Sequence, residues 1–176
     1  SDMKEIIIES FRKNLLIPII GAGFSQGNKS FNGQVPSGAE YIEHMRRKLN
    51  ACATLSDNEK ELLKAYAFSE LSAVYHEEIS IEERKIYLRN NFSRVNLSEN
   101  RKKFLQIDWP YIYTLNIDDS IERNSSYRQV IYSNREVNSD IYDQEKCVIK
   151  LHGDINDILA YADSQSEIFT KVQYAL

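Results

Sequence analysis

A short apolar run, residues 16–20, opens directly into Gly21-Ala22-Gly23-Phe24-Ser25, and this junction limits what the chain can become. Such a run predicts a fully buried strand of a parallel sheet. Glycines placed directly after a strand let the backbone turn tightly and approach a ligand such as a pyrophosphate. The third glycine is Gly27, so the pattern is G-x-G-x-x-x-G, one residue longer than the dehydrogenase spacing. Taken alone, the segment reads equally as a phosphate cradle and as a strand-to-helix turn with no ligand.

Two more strand ends carry polar residues. Residues 111–115 are rich in β-formers and run into Asn116-Ile117-Asp118-Asp119. Asn116 can donate and accept at once, which suits a ribose hydroxyl or a positioned water, and Asp118 can accept from an amide. In the plainer reading Asn116 ends the strand and Asp118 or Asp119 caps a helix through about Asn124. Residues 147–151 form another apolar strand, ended by His152-Gly153-Asp154. A histidine there faces the crevice and titrates near neutrality, as a general base must; alternatively it is a loop histidine paired with Asp154. Ligands of open α/β sheets bind beyond the carboxyl ends of the strands, and all three segments lie at such ends.

Helical periodicity fills the intervals. Residues 4–16 predict a helix, and 26–38 a long loop carrying glycine, proline and asparagine. Further helices are expected over 39–53, from a cap at Ser56 or Asp57 through about Tyr75, over 81–92, and from Ser98 to Gln106. Residues 129–132 predict a short strand. The order is strand, glycine turn, helical insertion (about 39–107), strand, helix, strand. It predicts an α/β fold with a parallel sheet and a helical layer carried on one long crossover. A length of 176 residues suits one domain, assigned to residues 3–176, with Ser1-Asp2 read as a tag remnant.

Composition narrows the function. The net charge is −4 with no basic block, which argues against a direct nucleic-acid partner. An anionic ligand would have to be held by backbone N–H groups and a few placed side chains. Cys52 and Cys147 belong to no C-x-x-C pair, which rules out a four-thiolate zinc site and a disulfide framework and fits a cytoplasmic protein. No apolar run approaches the ~20 residues needed to span a bilayer, so no membrane partner is expected. His44 and His76 read as surface or helix-packing residues. Asp118, Asp119, Asp154 and Asp157 could offer oxygens to a metal, but adjacent carboxylates are usually caps and solvated faces; no metal site is assigned.

Taken together and in order, Gly21-Ala22-Gly23-Phe24-Ser25, Thr114-Leu115-Asn116-Ile117-Asp118 and Leu151-His152-Gly153 resemble the sirtuin-like family. Phe104-Leu105-Gln106-Ile107-Asp108-Trp109 and Ile121-Glu122 are similar to its bacterial branch, and the likeness spans residues 15–158. It implies a Rossmann-like parallel sheet with an inserted helical layer, and NAD as substrate. Gly21, Ala22, Gly23, Phe24 and Ser25 would lie at the NAD phosphates and adjoining ribose. Asn116 would hold the nicotinamide ribose or a water near it, Ile117 and Asp118 the carboxamide. His152 would be the base near the ribose hydroxyls, which makes Asn116 and His152 the implied catalytic pair. The four-cysteine zinc module of sirtuin deacylases is absent, and residues 35–39 lack the arginine of their aspartate-phenylalanine-arginine run. The chain thus resembles the zinc-less bacterial domains associated with NAD hydrolysis in anti-phage defence. That likeness implies a homo-oligomer in the full-length form, with a C-terminal sensor domain. No glycine-serine turn for the adenosine side follows His152, so a C-terminal truncation is expected. The competing readings are a non-catalytic NAD or ADP-ribose binding module, an NAD-dependent protein deacylase and a hydride-transfer dehydrogenase.

Overall fold

The computed structural model describes residues 2–131 and 146–160. Four strands form one parallel sheet: β1 (Ile19–Ile20), β2 (Tyr111–Thr114), β3 (Arg128–Ile131) and β4 (Cys147–Lys150), in the order β1-β2-β4-β3. The α/β class expected from the strand order is therefore present. The strand expected over 129–132 is β3, with Tyr132 outside the described residues, as is the 161–176 stretch of the assigned domain. The register matters most. Ile20 pairs with Thr114, and Thr114 with Lys150, so β1, β2 and β4 end level with one another. The chain leaves the sheet at Gly21, Leu115 and Leu151 side by side, which is why three segments far apart in sequence converge.

β1 corrects one expectation. It is a two-residue edge strand, and Ile19 is 73% exposed while Ile20 is 5% exposed. Pro18 precedes it and has no N–H to give a ladder, so the pairing begins only at its carbonyl, which accepts from the Tyr113 amide. The inner strands do have the buried character: Ile112, Cys147 and Val148 are fully enclosed.

Helix α1 (Met3–Arg12) precedes the sheet, with Phe11 set edge-on to Trp109. A 3-10 turn, Ala22–Phe24, follows β1. Helices α2 (Gly38–Asn50), α3 (Asp57–Leu62), α4 (Phe68–Glu78), α5 (Ile81–Phe92) and α6 (Glu99–Gln106) then fill the crossover to β2. Short helices α7 (Ser120–Arg123) and α8 (Ile155–Ala160) follow β2 and β4. The single helix expected from Ser56 to about Tyr75 is two. After α3 the amides of Lys64, Ala65 and Tyr66 reach back only three residues, which unwinds the helix. Arg46 collects the freed carbonyls of Leu63, Lys64 and Tyr66, and the Glu70 carboxylate takes the Ala67 amide to start α4.

The core is one apolar cluster. Met45, Leu49, Leu71, Tyr75 and Leu88 supply the helical layer; Ile112, Ile121, Val148, Ile155 and Ile158 supply the sheet side. No helix among the described residues is long and apolar enough to cross a membrane.

Candidate functional site

The last residue of β2, Thr114, is polar. Its hydroxyl donates to the Ile20 carbonyl at 3.1 Å and accepts from the Asn116 amide at 3.0 Å, tying β1 to the turn after β2. Asn116 then points back. Its Nδ2 donates to the Gly21 carbonyl at 3.1 Å and to Ser25 Oγ at 3.3 Å. Ser25 Oγ donates in turn to Asp118 Oδ2 at 2.6 Å. Asn116, Ser25 and Asp118 are all buried. The glycine turn and the Asn116-Ile117-Asp118 turn are thus one hydrogen-bonded unit.

The capping reading holds in part. Asp119 stands at the N-cap position of α7 without a side-chain cap, and Asp118 Oδ1 accepts the amide of Ser120, the first residue of α7, at 3.0 Å. The Asp119 carboxylate instead takes the amides of Arg94 and Val95, at 2.7 and 2.9 Å. The other alternative, a pair between His152 and Asp154, is displaced. Asp154 is occupied by the Lys150 ammonium and the Asn156 amide, at 2.6 and 2.9 Å. Ser98 has N-cap backbone geometry before α6 but no side-chain cap bond.

A cavity of about 350 Å³ opens beside this unit, lined on its polar side by Ala22, Ser25, Asn116, Ile117, Asp118 and His152. Val35, Pro36, Tyr41 and Phe68 supply an apolar wall from the long loop and the helical layer. The capping box at Ser37, whose Oγ accepts the Glu40 amide at 3.1 Å, fixes where α2 starts and so where Tyr41 meets the cavity. His152 lies at the rim, followed by Gly153 at φ 89°, a left-handed backbone that favours glycine. Burial pushes the His152 imidazole below its ordinary value, which leaves it neutral at pH 7 and able to accept a proton.

Gly21, Gly23 and Phe24 do not line this cavity. They line a second one of about 560 Å³ across the turn, with Pro18, Arg101 and Phe104, and Ala22 borders both. A β-carbon added to Gly21 or Gly23 would meet no atom of the described residues within 4 Å, and neither has a positive φ. Internal packing gives no reason for glycine at either position.

Two residues here escaped the sequence reading. Arg101, on α6, donates to the Gly23 carbonyl at 3.1 Å and borders the second cavity. Lys150 is fully buried beneath the Asn116–Asp118 turn. Its Nζ donates to the Asp118 carbonyl at 2.6 Å, Glu122 Oε1 at 2.7 Å and Asp154 Oδ1 at 2.6 Å. Burial works against its charge, but the Glu122 and Asp154 carboxylates outweigh it and hold the ammonium above its ordinary value. A lysine inside the apolar run 147–151, four residues before an aspartate, was the available signal.

His44 and His76 stand clear of the site. His44 is buried, stacked on Tyr87 with ring centroids 3.5 Å apart; His76 Nδ1 lies 2.8 Å from the Ser72 carbonyl. Among the described residues no group of three or more His, Cys, Asp or Glu side chains could hold a metal ion. Searches against protein-family models and curated proteins gave no match.

Proposed function

We propose that the chain binds NAD across the Gly21–Phe24 turn and hydrolyses its nicotinamide–ribose bond. One observation carries this reading: two recesses meet at Ala22, on either side of a turn whose glycines the fold itself does not require. A dinucleotide has that form, two bulky halves joined by a narrow pyrophosphate. Bare backbone at Gly21 and Gly23 allows the pyrophosphate to approach, and Arg101 brings a cation to the same turn. The polar cluster and apolar wall of the smaller recess suit a ribose and a nicotinamide ring. A parallel sheet with ligand groups beyond its carboxyl ends also supports the Rossmann-like reading.

In the proposed reaction the bond between the ribose C1′ and the nicotinamide nitrogen breaks, and its electron pair leaves with nicotinamide. The leaving group is cationic before cleavage and neutral after, so it needs no acid. A water oxygen bonds C1′ and gives up a proton, and ADP-ribose is the other product. The transition state resembles the oxocarbenium of glycoside hydrolysis. Among the described residues only the side-chain nitrogen of Asn116 is used, by Gly21 and Ser25, which leaves its amide oxygen to hold the water or the ribose. His152, neutral and at the rim, takes the proton. Ser25 and Asp118 hold the unit in shape. By the sirtuin-like resemblance, the chain would be the NAD-consuming part of a homo-oligomeric anti-phage defence protein.

The test is nicotinamide release from NAD by the full-length gene product, followed by chromatography. His152→Ala and Asn116→Ala should each lower the rate about 100-fold, the usual scale of acid–base contributions. Wild-type rates in both variants would sink the assignment. Calorimetric binding of NAD without nicotinamide release would favour the non-catalytic binding module instead.

A further inference from the structure

A third recess, of about 480 Å³, is lined by Phe31, Arg89, Arg94, Arg123, Asp119 and Glu122 among others, and shares no lining residue with the other two. It gathers three guanidinium groups in a chain whose net charge is −4. None of the three side chains has a hydrogen bond or ion pair among the described residues. Two carboxylates share the recess, and one of their oxygens, Glu122 Oε2, is buried with no hydrogen-bond partner among the described residues. Asp119 accepts the Arg94 and Val95 amides with its two oxygens, and Glu122 Oε1 accepts from Lys150. Three guanidinium groups against two carboxylates leave the lining of this recess with an excess of positive charge, which favours an anion.

Arg94 adds a second observation. Its backbone sits at φ 53°, a left-handed conformation disfavoured for a residue with a β-carbon. Glycine or asparagine would sit there more cheaply. The two amide bonds to Asp119 fix this bend, and the guanidinium lies over the Phe31 ring, 4.8 Å from its centroid. Phe31 is itself 46% exposed, so an aromatic ring stands open beside the cations. Guanidinium forks match phosphate oxygens, and an open ring offers a stacking partner to a flat heterocycle.

We propose that this recess binds a small nucleotide, its phosphate held by Arg89, Arg94 and Arg123 and its base against Phe31. The site is separate from the strand-end site, but Glu122 borders it and reaches, through Lys150, the carbonyl of Asp118. Binding here does not depend on whether NAD is cleaved.

Calorimetry with AMP on the full-length protein tests this. Saturable binding is expected, with adenosine failing to bind because it lacks the phosphate. Arg89→Gln/Arg123→Gln should weaken AMP about tenfold or more, since both side chains are exposed and replaceable without unfolding. Lys4→Gln/Arg12→Gln, which removes the same charge from α1, should leave affinity unchanged. Equal weakening in both double variants would reduce the effect to overall charge and overturn the proposal. So would absence of AMP binding, or binding abolished by Asn116→Ala yet retained in Arg89→Gln/Arg123→Gln, which would assign AMP to the strand-end site. Tighter binding of longer single-stranded oligonucleotides than of AMP would overturn it in favour of a nucleic-acid surface.

Discussion

Single residues at this site do one of two jobs, and the difference is measurable. His152 lines the strand-end cavity, and the role proposed for it predicts a pH dependence. A base works only unprotonated, and burial holds this imidazole below the ordinary histidine value of about 6.5. Cleavage of NAD, as kcat/KM, should therefore stay level as the pH falls to about 6.5 and decline only below it. A decline centred above pH 7 would contradict a neutral, partly buried base. Lys150 lines neither strand-end cavity and instead holds the Asn116–Asp118 turn from beneath. Lys150→Met would leave the Glu122 and Asp154 carboxylates buried without their cation, at a cost of about 3–5 kcal/mol in urea unfolding. A loss under about 1 kcal/mol would mean that the network contributes little. The strand-end polar residues were legible from sequence because apolar runs ending in Gly21, Asn116 and His152 are unusual. Lys150 was harder to see, because a lysine in a strand normally faces water and only the fold brings the Asp118 carbonyl, Glu122 and Asp154 around its ammonium.

The elements were largely legible, with failures at places where a distant side chain decides. Helix α5 has the expected bounds, and α2 and α6 differ from theirs by a few residues at most, because local signals specify them, with serine side-chain caps at Ser37 and Ser80 and cap backbone geometry alone at Ser98. The break between α3 and α4 depends on Arg46, contributed by another helix, which no local pattern contains. The start of α2 is local: Ser37→Ala should cost about 1 kcal/mol through loss of the capping box, measured by denaturant unfolding. The helical layer also carries an acid sensitivity. Burial, with Arg47 and Lys48 adding to it, holds His44 down to about 4. The unfolded chain therefore binds a proton near pH 6.5 that the folded chain refuses until about pH 4. His44 contributes stability that is intact above pH 6.5 and lost as the pH falls toward 4. The melting temperature should drop across that window, and less so in His44→Phe.

At the scale of the whole molecule, the candidate site depends on register. Three parallel strands end level, so the Gly21, Asn116 and His152 segments meet although residues 26–115 separate the first two. A ligand that bridges them should stabilise the fold as a unit. ADP-ribose at about 100 times its Kd should add about 2.7 kcal/mol, or roughly 5–10 °C in Tm, by differential scanning fluorimetry. No shift at saturating concentration would count against the strand-end site as an ADP-ribose or NAD site.

By itself the sequence determined the α/β class, most of the helices and the three polar strand ends, since each follows from short-range periodicity, capping or a glycine next to an apolar run. The tertiary structure decided what those ends do together. It turned Asp119 away from its own helix toward the Arg94 loop, gave Asp154 to Lys150 rather than to His152, and set Gly21 and Gly23 on a different recess from Ser25 and Asn116. It also left β1 on the sheet edge. Hydrogen bonds and ion pairs between residues tens of positions apart choose among partners that the local sequence leaves equivalent, and only the packed sheet brings those partners within reach.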